Sequence, residues 1–181
     1  MILSGKDIEA AVRNGEIGIE PFDTVQLKPA SYVFTLGERL WRPAPTSPQP
    51  SPGHGRESFI DSREDVELEE IPFPADGYLL QPGGFVIGRT CERVKLNGKF
   101  MMQLDTRSSL AQMGLNVTQS STWAEPETDN TFVLEISNQG ELPVRLFPGN
   151  PKEQSSHDGN PKEQSSHDGN RIARGIFFRI S

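Results

Sequence analysis

The chain has little of what several common functional centres require. It holds one cysteine, Cys91, in 181 residues, which excludes an intramolecular disulfide and any metal site built from several thiolates. Its three histidines, His54, His157 and His167, all fall in proline-rich or repeated stretches. No apolar run approaches the roughly 20 residues that a membrane-spanning helix needs, and no charged-then-apolar leader opens the chain. Lysine and arginine number 18 against 25 aspartates and glutamates, a formal charge of -7 without any dense basic block. A nucleic-acid polymer is therefore not expected as a partner, since such a polymer is held through many phosphate contacts. Small phosphorylated ligands need only local positive charge. With 34% hydrophobic residues, the chain is expected to be soluble, cytoplasmic and one domain spanning 1–181 around a real core.

What is present centres on residues 99–138. Phe100, Met102 and Leu104 alternate, which predicts a strand with one apolar face. That strand should end at Asp105-Thr106, where Arg107-Ser108-Ser109-Leu110-Ala111 predicts a short helix with a serine as N-cap and Gly114 as left-handed terminator. Unpaired N–H groups at a helix start, beside an arginine and two hydroxyls, make a small anion site. A buried strand is predicted over Thr131–Ser137, with Glu135 between the apolar Leu134 and Ile136.

Elsewhere, Ser4 and Asp7 predict a capped helix whose stripe is Ile8, Ala11 and Val12, stopped at Asn14-Gly15. Strands are expected at Ile17–Ile19, at 30–37 and its continuation Leu40-Trp41, at Ser58–Ile60, and at Val66–Leu68. Gly77–Leu80 and Phe85–Thr90 flank Gln81-Pro82-Gly83-Gly84 as a predicted hairpin, and Glu92–Leu96 stops at Asn97-Gly98. Prolines 43, 45, 48, 50 and 52 mark 42–56 as an extended loop insertion. Residues 150–159, NPKEQSSHDG, recur unchanged at 160–169, a duplicated polar insertion in a turn. Without it, Pro143–Phe147 and Ile176–Ile180 would read as an ordinary hairpin. Many short strands, frequent Gly/Pro turns and few helices predict a mainly β barrel or sandwich.

The opening Ile2–Ile8, Ala30-Ser31-Tyr32 with Leu36-Gly37, Pro82–Gly88, Thr90–Leu96, the Arg107–Ala111 motif with Gly114-Leu115, and Val133-Leu134-Glu135 with Asn138-Gln139-Gly140 together resemble the dCTP deaminase branch of the trimeric dUTPase superfamily. The resemblance implies a jelly-roll-like, distorted β-barrel, a homotrimer with active sites shared between subunits, and hydrolytic deamination of dCTP to dUTP, or to dUMP in bifunctional members. It also implies roles: Glu135 as base and then acid, Ser108 holding the attacking water, Arg107 and Ser109 on the phosphates. Leu110, Ala111, Gln112, Glu125, Val133 and Leu134 complete the implied substrate-binding set. Mg²⁺ would ride on the nucleotide phosphates, with no zinc and no metal held by protein side chains.

The residues can be weighed beside that resemblance. Zinc-dependent cytosine deamination uses a His/Cys/Cys ligand set, which this sequence cannot assemble. A metal-free route needs a carboxylate in a dry setting, where desolvation lets it trade protons near neutrality. Glu135 suits that role by its apolar neighbours, although a strand glutamate is more often a solvated outward residue. The sequence also departs from the family pattern. Gln112 stands where the deaminases carry a second arginine, and Trp123-Ala124-Glu125-Pro126-Glu127 replaces Ile-Asp-Pro-Gly, with Glu125 at the place of a sugar-contacting aspartate. Nothing after the final strand matches the family's closing tail of tyrosine, lysine and glutamine. Two further readings therefore stand: a dUTP diphosphatase-like enzyme using Glu125 and phosphate-bound Mg²⁺, and a non-catalytic relative that binds a nucleotide or a protein.

Overall fold

A computed structural model of the chain describes residues 1–44, 63, 65–120, 122–149 and 171–180. In order the elements are α1 (Gly5–Arg13), β1 (Ile17–Glu20), a 3-10 turn (Thr24–Gln26), β2 (Leu27–Lys28), β3 (Ser31–Thr35), β4 (Leu40–Pro43), β5 (Leu68–Ile71), β6 (Tyr78–Leu80), β7 (Phe85–Leu96), β8 (Phe100–Thr106), α2 (Ser108–Ala111), β9 (Leu115–Asn116), β10 (Trp123–Ala124), β11 (Asp129–Asn138), β12 (Val144–Leu146) and β13 (Arg171–Arg179).

Local chemistry sets several of these boundaries. Ser4 caps α1 through a reciprocal box: the Asp7 amide donates to Ser4 Oγ at 3.2 Å and the Ser4 amide to Asp7 Oδ2 at 3.0 Å. The Ser4 hydroxyl also donates to Asp7 Oδ2 at 2.7 Å, and this bond together with that from the Ser4 amide holds the Asp7 carboxyl below its usual range. Gly15 leaves the helix at φ +69, as the Asn14-Gly15 stop predicts.

One sheet of six strands runs β5-β4-β7-β11-β9, with β1 also on β7; a second, of five, runs β10-β8-β13-β3-β2. Their inner faces share one cluster of buried side chains, among them Phe34, Phe100, Met102 and Phe177 from the second sheet and Val94, Leu134 and Ile136 from the first. The ladders meet at one corner, where Leu36 bridges Thr90 and the Gly37 amide donates to the Arg89 carbonyl at 2.7 Å. The mainly β fold expected from the sequence is present as two laced sheets with a separate two-stranded ribbon of β6 and β12, and among the described residues they do not close into a barrel.

Three expected pairings differ. The Gln81–Gly84 turn does not join a hairpin: β6 pairs with β12, burying Leu80 and Leu146, while the Gly83 amide donates to the carbonyl of Asn138. Nor do β12 and β13 pair with each other; β13 lies between β3 and β8, where Phe177 reaches the core. Leu40-Trp41 does not extend β3, because β4 crosses to the other sheet and sets Trp41 opposite Ile87. In each case burial of an apolar face outweighs the nearest turn signal. Residues 45–56, the predicted strand at Ser58–Ile60 and the duplicated 150–169 segment lie outside the described residues.

Candidate active site

Strand β8 delivers the Arg-Ser-Ser turn. Phe100, Met102 and Leu104 fill the core, and the chain leaves the sheet at Arg107, whose extended backbone (φ -64, ψ 137) is the N-cap of α2. The expected serine cap is thus displaced by one residue, with Ser108 already inside the helical turn. No side chain caps it. Leu110 turns into the core and anchors the turn, leaving Ser108 and Ser109 exposed. Arg107 Nη1 donates to the Arg171 carbonyl at 2.8 Å, tying the turn to the start of β13. Gly114 has φ +87, as predicted, and its carbonyl accepts the Gln139 amide at 2.8 Å. The Arg107–Gly114 motif and Asn138-Gln139-Gly140 are therefore parts of one junction. The Asn138 side chain completes it by donating to the Leu80 and Leu142 carbonyls at 3.0 and 2.9 Å.

Arg107 and Ser108 open onto a hollow of about 480 Å³ that also takes Lys28, Ser31 and Arg174 into its wall. Glu135 is not among its lining residues.

The Glu135 carboxylate lies elsewhere, on the outer face of the six-stranded sheet. The alternation of β11 sends Leu134, Ile136 and Asn138 inward and leaves Val133, Glu135 and Ser137 outward. Its apolar sequence neighbours thus point away from it, and they do not supply the dry setting expected from the sequence. What surrounds Glu135 comes across the ladder: Ile87 is its registered partner on β7, and Trp41 of β4 lies opposite Ile87 in turn. Gln119 drapes over the same strand, its Nε2 donating to the Glu135 carbonyl at 3.0 Å and to Ser137 Oγ at 2.8 Å. Glu135 is half-buried.

The other expected site residues divide by exposure. Ala111, Gln112 and Val133 are exposed, and Gln112 serves as the C-cap of α2. Leu110 and Leu134 bury their side chains in the core, so only their backbone groups can reach a ligand. Glu125 is exposed at the head of a tight turn, where its carbonyl accepts the Thr128 amide at 3.3 Å and the Thr128 hydroxyl at 2.6 Å. Trp123 packs on Phe178 with ring centroids 5.7 Å apart. Among the described residues no group of three or more His, Cys, Asp or Glu side chains is placed to hold a metal ion.

One buried polar cluster went unread in the sequence. Glu92 is fully enclosed between β7 and β3; its Oε1 accepts from Gln26 Nε2 and Thr35 Oγ1, both at 2.7 Å, and its Oε2 from the Thr35 amide at 2.9 Å. Tyr32 donates to Gln26 Oε1 at 2.8 Å and so joins the cluster. Burial raises the Glu92 carboxyl above its ordinary range, despite those three donors. The signal was available: Glu92 falls in phase with Val86, Val94 and Leu96 on the inner face of β7. Cys91, on the opposite phase, donates to the Leu36 and Gly149 carbonyls, both at 3.3 Å, and burial pushes its thiol up to about 12.

Two laced antiparallel sheets carrying an arginine–serine–serine turn beside a basic hollow define a β protein suited to a phosphorylated small molecule. The dCTP deaminase-like family model matches residues 2–154, and the chain belongs to that family. It is 33% identical over 153 residues to "dCTP deaminase, dUMP-forming" of Corynebacterium diphtheriae, covering 82% of this chain and 76% of that protein. The enzyme of the same name from Mycobacterium tuberculosis is 32% identical over 152 residues, covering 82% and 75%. The solved 2'-deoxycytidine 5'-triphosphate deaminase from Agrobacterium tumefaciens shares the fold, with a TM-score of 0.64 at 20% identity over 99% of this chain. The present chain spans 46% of that structure's length.

Proposed function

We propose that this chain deaminates the cytosine of dCTP, with Glu135 moving the protons and the Arg107–Ser109 turn receiving the phosphates. The observation that carries the reading is the Arg107–Ser109 turn opening onto a basic hollow in a chain that belongs to the dCTP deaminase-like family. In the proposed reaction a water adds through oxygen to C4 of the base while Glu135 accepts its proton. Glu135 passes that proton to N3, then takes the proton of the new C4 hydroxyl and delivers it to the amino group, so that the bond from C4 to the exocyclic nitrogen breaks, ammonia leaves and C4 keeps a carbonyl oxygen. Ser108 holds the water. The names of the curated relatives favour dUMP as final product, which requires a second water to displace diphosphate from the α-phosphorus of dUTP. Mg²⁺ enters only as a counter-ion carried on the phosphate oxygens.

The same reading calls for a homotrimer. In one chain Glu135 stands on the outer face of the six-stranded sheet, away from the hollow that holds Arg107 and Ser108. Two neighbouring copies can supply the two halves of one site, and a subunit laid over Trp41, Ile87 and Val133 would exclude water from Glu135.

Incubation of the pure protein with dCTP, dUTP and dTTP tests the proposal. Ammonia together with dUMP from dCTP supports it, and accumulation of dUTP would limit it to deamination alone. Diphosphate from dUTP without ammonia from dCTP would replace it with a diphosphatase, and saturable binding without turnover would leave a non-catalytic relative. Mixing Glu135→Gln with Ser108→Ala subunits tests the shared site: recovered activity supports it, and none argues that each chain works alone.

A further inference from the structure

At Glu135 the edge of β11 is finished by a side chain. The short strand β9 pairs with β11 at two positions, Asn116 with Ser137 and Leu115 with Asn138. Past β9 the support changes character. The Glu135 amide donates to the Val117 carbonyl at 2.9 Å, and Gln119 Nε2 donates to the Glu135 carbonyl at 3.0 Å and to Ser137 Oγ at 2.8 Å. The N–H and C=O of one strand residue point to the same side, so residues 117 and 119 hold both main-chain groups of Glu135. Their own base is fixed. Val117 and Thr118 are buried, the Val117 amide donates to Thr106 Oγ1 at 3.0 Å, and the Thr118 amide to Asn116 Oδ1 at 3.2 Å. Gln119 itself is exposed and left-handed, at φ +40. A residue with a Cβ is uncommon in that region, and it persists there only where the surroundings hold it. The two bonds of its carboxamide across β11 supply that hold.

We propose that Gln119 is a positioning residue for Glu135: its carboxamide fixes the strand from Glu135 to Ser137, and with it the direction of the carboxylate that carries protons. This rests on the deaminase reading above and deepens it. A general acid–base that serves a water, N3 and an amino group in turn must keep its place among three atoms, and a misplacement of about 1 Å costs on the order of 10²-fold in rate. The Glu135 side chain leaves the outer face of the sheet, where the core does not grip it. Its travel is therefore limited by the strand beneath it. Glutamine suits the task because its amide nitrogen carries two N–H donors, one for the Glu135 carbonyl and one for the Ser137 hydroxyl. Ser137 shares the outward face with Glu135, so the second bond steadies the nearest side chain along the same strand.

Steady-state kinetics of ammonia release from dCTP by the full-length protein, together with amide hydrogen exchange at Glu135, test it. Gln119→Met keeps the length of the side chain at an exposed position and removes both donors. Its kcat should fall about tenfold, the size of one hydrogen bond expressed in a rate, while KM for dCTP stays near the parent's. The Glu135 amide should exchange faster in the same variant. Ser137→Ala, which spares the bond to the Glu135 carbonyl, should cost less, and adding it to Gln119→Met should cost nothing more. A parental kcat in Gln119→Met, or a raised KM at unchanged kcat, would overturn the assignment. Faster exchange in Gln119→Met, from a parent that releases no ammonia from dCTP, would instead sink the deaminase reading and take the positioning role with it.

Discussion

Gly114 and Gly140 meet backbone to backbone: a Cβ on Gly114 would lie 2.5 Å from both the Cα and the amide nitrogen of Gly140, and one on Gly140 would lie 2.8 Å from the Met113 carbonyl oxygen. Gly114 is also left-handed, at φ +87. Gly114→Ala therefore faces two penalties, the conformational one alone being about 1–2 kcal/mol, with the backbone clash on top. Because this contact joins the Arg107–Ala111 turn to the end of β11, the variant should lower the unfolding midpoint and the affinity for dCTP together. A variant that melts like the parent would show the junction to be dispensable.

Glu135→Gln keeps the size of the side chain and removes its basicity. Ammonia release should fall by about 10²–10⁴-fold, the range for losing a general acid–base, with dCTP affinity nearly unchanged. Arg107→Ala should instead weaken dCTP far more than deoxycytidine, since the proposed contact is with phosphate. Its bond to the Arg171 carbonyl adds a modest structural loss, which a thermal melt separates from the binding effect.

The buried Glu92 carboxyl gives a pH dependence whose sign can be worked out. Burial raises it from the ordinary value of 4.5, so the folded chain keeps this proton to higher pH than the unfolded chain. Where the native state binds more protons, stability falls as pH rises. Glu92 should therefore contribute a loss of stability that begins near pH 4.5 and grows until its folded-state value is passed. Chemical denaturation at a series of pH values should show this slope in the parent and lose it in Glu92→Gln. An identical slope in both would place the titration elsewhere.

The turn from Glu125 to Thr128 carries a correctable strain. Glu127 sits at its left-handed position, φ +66, where glycine has no steric cost. Glu127→Gly should stabilise the fold by roughly 0.5–1 kcal/mol, net of the greater freedom glycine has when unfolded. The thermal midpoint measures it, and a lower midpoint would show that the Glu127 carboxylate contributes more than its backbone costs.

Much of this molecule was legible from local chemistry. Ser4 and Asp7 announced a capping box, the alternation of Phe100, Met102 and Leu104 announced their burial, and Gly114 announced a left-handed residue; each depends on atoms a few residues apart. The Arg107–Ala111 motif was legible too, and only its cap was misplaced by one position. Pairing partners were not legible in this way. The Gln81–Gly84 turn looks like a hairpin to its immediate neighbours, yet β6 pairs with β12, and β13 passes by β12 to fill the gap between β3 and β8.

By itself, then, the sequence determined the periods, the caps and the turn that carries Arg107, Ser108 and Ser109. Only the tertiary structure decided that Glu135 looks outward and Glu92 inward, that Leu110 and Leu134 keep their side chains from any ligand, and that Lys28 and Arg174 share a hollow with Arg107. A strand's side chains alternate by covalent geometry, so the two faces can be read from the sequence. Which face is buried depends on which distant strands stack against it, and that is settled by the apolar area the assembled sheets remove from water.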